Sequence, residues 1–216
     1  LVGKNGTLVM NSARFLKNKS NQNSNYLTYD LKKTRVWTGV LPHFMLKHPK
    51  AEISEFPFNP IVAIGRDAKK IISENINSND VNSSCGPNSG WKYCADNNAI
   101  VVGLGIDLVH SLTIMHVAEE NHDNWPVKNW YEKVKVEIIN NIGTKRIIIK
   151  NRRSKWGKLY FFEKKFEHDL MENKILHKHN IDGLKFEHLN SNSLINFMNT
   201  KNKNSPYPYL IPFYLK

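Results

Sequence analysis

The longest apolar run in the chain, "AIVVGLGIDLVHSLTIMHVA" from Ala99 to Ala118, constrains the fold most. It is apolar on every side, so it leaves no stripe for water and must be contacted all round. Its length would span a bilayer. However, Asp107, His110 and His116 interrupt it, and an Asp at mid-membrane costs about 2.5–3.5 kcal/mol on insertion scales. The reading is a central buried helix over about 99–121 in a globular domain, with no membrane span. A strand pair around a glycine turn is the alternative for its first eight residues.

The rest of the chain adds further helical patterns. Asn59 can cap a helix and Pro60 suits its first turn, and Ile61, Ile64, Ala68, Ile71 and Ile72 fall at helical spacing. Pro126 opens a second candidate helix, with Trp130, Val134 and Ile138 on one stripe. "KRIIIK" reads as a short strand or a helix start. Leu159, Phe162, Phe166, Leu170 and Ile175 mark a long amphipathic helix, and "NSLINFMN" a short last one. The expected fold is mainly α, an irregular helical domain around the 99–121 helix, with extended terminal arms and minor strand content. The expected organisation is an N-terminal arm at 1–34, a helical core at 35–204 and an extended arm at 205–216.

The C-terminal arm is unusual. Pro206, Pro208 and Pro212 exclude a helix, yet Tyr207, Tyr209, Leu210, Ile211, Phe213 and Tyr214 demand burial. The arm packs along its own core or reaches into a neighbouring molecule. At the other end, Leu1-Val2-Gly3-Lys4 shows no secretory pattern, and the missing Met suggests a processed or truncated start.

Few residues suggest catalysis. "HVAEENH" offers His116, Glu119, Glu120 and His122, of which His116 and Glu120 share one helix face. His177 and His179 lie near His168 and His188. None of these sets completes a metal signature, so neither metal nor cofactor is expected. "GLGID" lacks the third glycine of a phosphate loop, and Gly103 and Gly105 read as room for a neighbouring helix. "GIDLVHSLTI" faintly resembles histidine-triad phosphohydrolases, but the chain has only His177-x-His179 where that family needs three.

Charge gives the strongest hint about partners. The chain carries 31 Lys and Arg against 19 Asp and Glu, for a formal net charge of +12, which favours anionic partners and opposes self-association. Lys145, Arg146, Lys150, Arg152, Arg153, Lys155 and Lys158 form a basic patch interleaved with Trp156 and Tyr160. Such a patch could neutralise phosphates and stack on bases. A nucleic-acid-associated protein is therefore one alternative function, and a divergent histidine-triad-like phosphohydrolase another.

The only cysteines, Cys85 and Cys94, flank a turn-rich loop. They could form a local bridge worth roughly 2.5–3 kcal/mol, a bridge between chains, or free thiols. Cys85, Cys94 and the arm from Ser205 to Lys216, together with the absence of a catalytic constellation, resemble the polyhedrin-type occlusion-body proteins of insect viruses, particularly nudiviruses. That resemblance implies a structural, self-assembling protein and not an enzyme. It would assemble inside the infected host cell, shield virions and dissolve at alkaline pH as lysines lose charge and tyrosines gain it near pH 10. Its partners would be further copies of itself, with virions or nucleic acid at the basic patch.

Overall fold

The computed structural model describes residues 3, 5–11, 13–14, 25–31, 36–37, 40–58, 60–73, 82–105, 108–111, 113–121, 131–152, 160–162, 164–202 and 210–212. Strands and helices alternate through them, so the fold is mixed α/β and the mainly α expectation is corrected. The chain forms two compact units, each discontinuous in sequence: Leu1–Gly90 with Glu132–Asn151, and Trp91–Tyr131 with Arg152–Lys216.

Among the described residues, the first unit holds three sheets, the smallest an antiparallel pair of β2 (Ala13–Arg14) and β4 (Val36–Trp37). Strand β1 (Thr7–Asn11), inside the expected N-terminal arm, pairs antiparallel with β6 (Ile61–Gly65), which also pairs with β5 (Glu52–Ile53). Residues 61–65, expected as helix, are thus a central strand: Ile61, Val62 and Ala63 are buried, and β-branched side chains suit a pleated surface. The helix begins only at α2 (Ala68–Ser73), which buries Ala68 and Ile71. Helix α1 (Val40–Leu46) also packs on β6.

The second sheet of this unit runs β3-β9-β10-β7, using Leu27–Asp30, Tyr131–Ile139, Thr144–Arg152 and Asn82–Ser83. The helix expected after Pro126 is instead β9, whose Val136 and Ile138 face the core on alternate positions. "KRIIIK" resolves as strand, since Ile147 and Ile149 are buried while Ile148 is not. These side chains close over Tyr29 and Phe56 to form one apolar cluster. The β9–β10 turn is held by Asn140, whose Oδ1 accepts hydrogen bonds from the backbone N–H of Ile142 and Gly143, both at 2.9 Å.

The second unit is built on an antiparallel sheet ordered β12-β13-β8, from Leu176–Ile181, Leu184–Asn190 and Ile100–Leu104. The expected 99–121 helix is therefore strand β8 followed by two shorter helices, α4 (Leu108–Ser111) and α5 (Thr113–Asn121). The expected long helix through 154–179 breaks in the same way into β11 (Tyr160–Phe162), α6 (Lys164–Glu172) and β12. Asp182 and Gly183, at φ 51° and 83°, make the tight β12–β13 turn, the mirror-image turn that two-residue hairpins favour.

Helix α7 (Ser191–Asn202) follows directly. The Oδ1 of Asn190 caps it by accepting from the N–H of Asn192 at 3.1 Å and of Ser193 at 3.2 Å. Phe166 and Leu170 of α6 and Leu194 and Met198 of α7 are buried, and these helices pack on β12 and β13. Helix α5 contributes Ile114, Val117 and Ala118 and packs on α7. Among the described residues, no helix is long and apolar enough to cross a membrane.

Candidate active site

Within the second unit, β8 leads through a short connection into α4 and α5. Such a strand-to-helix passage commonly displays reactive groups at the end of a sheet. Gly105, at φ 66°, follows the strand, and its N–H donates to the carbonyl of Lys185 at 3.3 Å. The N–H of Leu108 opens α4 and donates to Oε2 of Glu187 at 3.0 Å. A carboxylate at the start of a helix satisfies a free N–H there.

Glu187 belongs to a charged chain on the helix-covered face of the sheet. Its Oε1 lies 3.0 Å from Nζ of Lys178, and that ammonium also donates to Glu167 of α6. The hydrogen bond to Glu167 does most to hold the Lys178 ammonium above its usual range; burial opposes the shift and Glu187 adds to it. The chain ties β12, β13, α6 and the start of α4 into one frame. Sequence reading missed this role of Glu187, because it and Leu108 are 79 positions apart and no local pattern joins them.

On α5, His116 and Glu120 lie one turn apart, and both are half-buried beside the core-facing Val117. Imidazole exchanges protons near neutral pH, and a carboxylate on the same helix face can steady its charged form. His116 and Glu120, read from "HVAEENH" as sharing a helix face, do lie on one helix, whereas His122 lies outside the described residues. No group of three His, Cys, Asp or Glu among the described residues could hold a metal ion.

The other sequence candidates fall elsewhere. Cys85, in the first unit, and Cys94, on α3 (Gly90–Asp96) in the second, are both buried thiols that form no disulfide. Of the aromatic arm, Leu210, Ile211 and Pro212 form β14 and pair antiparallel with Phe162, Phe161 and Tyr160 of the same chain. Pro206, Tyr207, Pro208, Tyr209, Phe213 and Tyr214 lie outside the described residues.

The basic patch is divided by its strand. Alternation along β10 puts Arg146, Lys150 and Arg152 on one face and Lys145 on the other. Arg146 is already engaged, with Nε 3.0 Å from Oε1 of Glu137 and its guanidinium 5.2 Å from the centre of the Tyr26 ring. Arg153, Lys155 and Lys158 lie outside the described residues. His177 and His179, expected within a helix, sit on β12; with His188 they stack as three imidazoles, at centroid separations of 4.7 and 4.9 Å.

Comparison with known proteins identifies the frame. A family model described as aminoglycoside 3-N-acetyltransferase matches residues 1–201. No curated protein matches the chain. Among solved structures, the chain resembles AAC-IIIb in a binary complex with CoASH at TM-score 0.70 and 16% identity, covering 93% of this chain and 79% of that one. It resembles the aminoglycoside acetyltransferase AAC(3)-IVa apoenzyme at TM-score 0.68 and 17% identity, covering 99% and 74%. The YokD protein of Bacillus subtilis matches at TM-score 0.61 and 15% identity, covering 93% and 79%.

Proposed function

The chain belongs to the aminoglycoside 3-N-acetyltransferase family, and from that membership we propose that it is an enzyme moving an acetyl group from a coenzyme A thioester to the amine of an amino sugar. The carrying observation is the family match across residues 1–201. It overturns the expected occlusion-body matrix and with it the non-enzymatic reading and the site of assembly in an infected host cell. The nucleic-acid and histidine-triad alternatives fall as well, since neither belongs to this family. The acetyltransferase fold is also the reason for the mixed α/β architecture.

The chemistry requires an uncharged amine. Its lone pair attacks the thioester carbonyl, a C–N bond forms, the C–S bond breaks, and the sulfur leaves to become the free thiol of CoASH. One proton must leave the amine on the way. We assign its acceptance to the imidazole of His116, with Glu120 one helical turn away steadying the charged ring. Support comes from the half-buried placement of both groups and from the Glu187 frame that fixes the start of α4 just before them. A structural neighbour, AAC(3)-IVa, is known as a histidine-to-alanine variant in complex with apramycin. The net charge of +12 suits a thioester carried on a polyanion. The same charge works against a polycationic acceptor, so amines of low charge should be the better substrates.

Release of free thiol from acetyl coenzyme A tests this directly, with apramycin, gentamicin and singly charged amino sugars as acceptors. Turnover is expected, with kcat/KM highest for the acceptors of lowest charge. The His116→Ala variant should lose about 10²–10⁴-fold in kcat while still binding CoASH. Absence of turnover with every acceptor would refute the acetyl-transfer reading. Unchanged kcat in His116→Ala would refute only the role given to that imidazole.

A further inference from the structure

The sheet of the second unit has one covered face and one open face. Residues opposite each other across antiparallel strands share a face. The register Val102↔His188↔His177 therefore puts alternate residues of all three strands on the open side. Five large apolar side chains stand exposed there: Ile100 at 68%, Val102 at 48%, Leu104 at 46%, Ile181 at 58% and Leu184 at 59%. Between them run the stacked rings of His177, His188 and His179, with His179 stacked in turn on Phe186 at a centroid distance of 4.6 Å. Nε2 of His179 and Nδ1 of His188 are 2.8 Å apart, within hydrogen-bond distance.

Among the described residues of these three strands, no Lys, Arg, Asp or Glu stands on this face. Among the described residues, the sheet's own charges are Asp182 in the hairpin turn and, on the opposite face, Lys178, Lys185 and Glu187, with Glu167 of α6 beside them. This absence is notable in a chain of net charge +12. An acidic partner would be drawn to lysines and arginines, and here it would find none to pair with. A second copy is repelled by the charged surface but can set this uncharged face against its own like.

We propose that the open face of the β12-β13-β8 sheet is the contact through which two copies of this chain associate, apolar and imidazole side chains packing on the same face of the partner copy. A two-fold contact of this kind closes on itself and ends at a dimer. Three strands at about 4.8 Å and five residues at about 3.4 Å span only a few hundred Å² per copy. That is below the roughly 800 Å² of a standard stable interface, so the dimer is weak, with a dissociation constant on the order of 10–100 μM. Protonating the three imidazoles would place like charges at its centre. Burial first, then the neighbouring His177 and His179, already hold His188 below its usual range, consistent with a face that works uncharged.

Sedimentation of the full chain from about 1 to 500 μM, a range chosen to bracket that constant, tests the contact. At pH 8 the average mass should rise from monomer toward dimer. Added NaCl should strengthen association by screening the net charge, and lowering the pH to about 5.5, below the ordinary histidine value, should weaken it at least tenfold. Val102→Lys and His177→Lys should each abolish the rise. Both positions are exposed, so melting curves should match the parent, and His177→Lys carries the test if Val102→Lys misfolds. Ile142→Lys, in the fully exposed β9–β10 turn, should change nothing. A constant monomer mass would overturn the proposal, as would association that survives both face variants or disappears equally in Ile142→Lys.

Discussion

Tyr29 carries the clearest consequence of burial on a single residue. It sits at the centre of the first unit's apolar cluster, and desolvation pushes its phenol up to about 12. The folded state therefore favours the neutral phenol more than the unfolded chain does. The resulting stabilisation is complete below pH 10 and is lost as pH rises from about 10 toward 12. Tyr29→Phe should flatten the alkaline limb of the unfolding midpoint between those values, measured by chemical denaturation at a series of pH values. An unchanged limb would show that Tyr29 does not govern it. The sequence alone assigns all eight tyrosines the ordinary value, which underlay the expectation of alkaline dissolution near pH 10. Titration depends on which phenol the fold encloses, and no local pattern around "LTYD" states that.

Among the elements, the helix read after Pro126 failed for one identifiable reason, while the one read at 61–72 survives only as α2 from Ala68. Val134 and Ile138 are four apart, and four residues return to the same face both in a helix and in a strand. Spacing therefore does not decide between them, whereas the β-branched content of "VKVEII" and "KRIIIK" favours strand. The α7 segment was legible because its apolar residues combine i, i+3 and i+4 steps that no strand satisfies. Asp182-Gly183 is a hairpin signal in the sequence itself. Gly65 offers a test of strand geometry. It closes β6 at φ 133°, and a Cβ there would lie 2.3 Å from the carbonyl oxygen of Gly6 and 2.6 Å from Cα of Thr7. Both are backbone atoms and cannot swing aside, so Gly65→Ala should cost about 1–3 kcal/mol or more in urea unfolding. A neutral outcome would mean that β1 and β6 separate there at little cost.

For the whole molecule, charge is the property that sequence reports without ambiguity, and it yields its own prediction. If the net charge of +12 draws in a polyanionic thioester, raising NaCl from about 20 to 200 mM should weaken CoASH binding several-fold by calorimetry. Salt-independent affinity would place recognition in uncharged contacts instead. Of the candidate site, the sequence shows only that His116 and Glu120 stand four apart on one helix face; it marks neither as catalytic, and spacing does not link Glu187 to them. What the sequence determined by itself was therefore local and additive: net charge, the absence of a metal signature, the four-residue step from His116 to Glu120, and the α7 helix. The tertiary structure alone decided that the 99–118 apolar run would divide into a strand and two helices, that Tyr29 would be enclosed, and that Glu187 would reach the start of α4. Those outcomes depend on pairing and burial between segments far apart in the chain, and such long-range contacts leave no mark on the spacing of neighbouring residues.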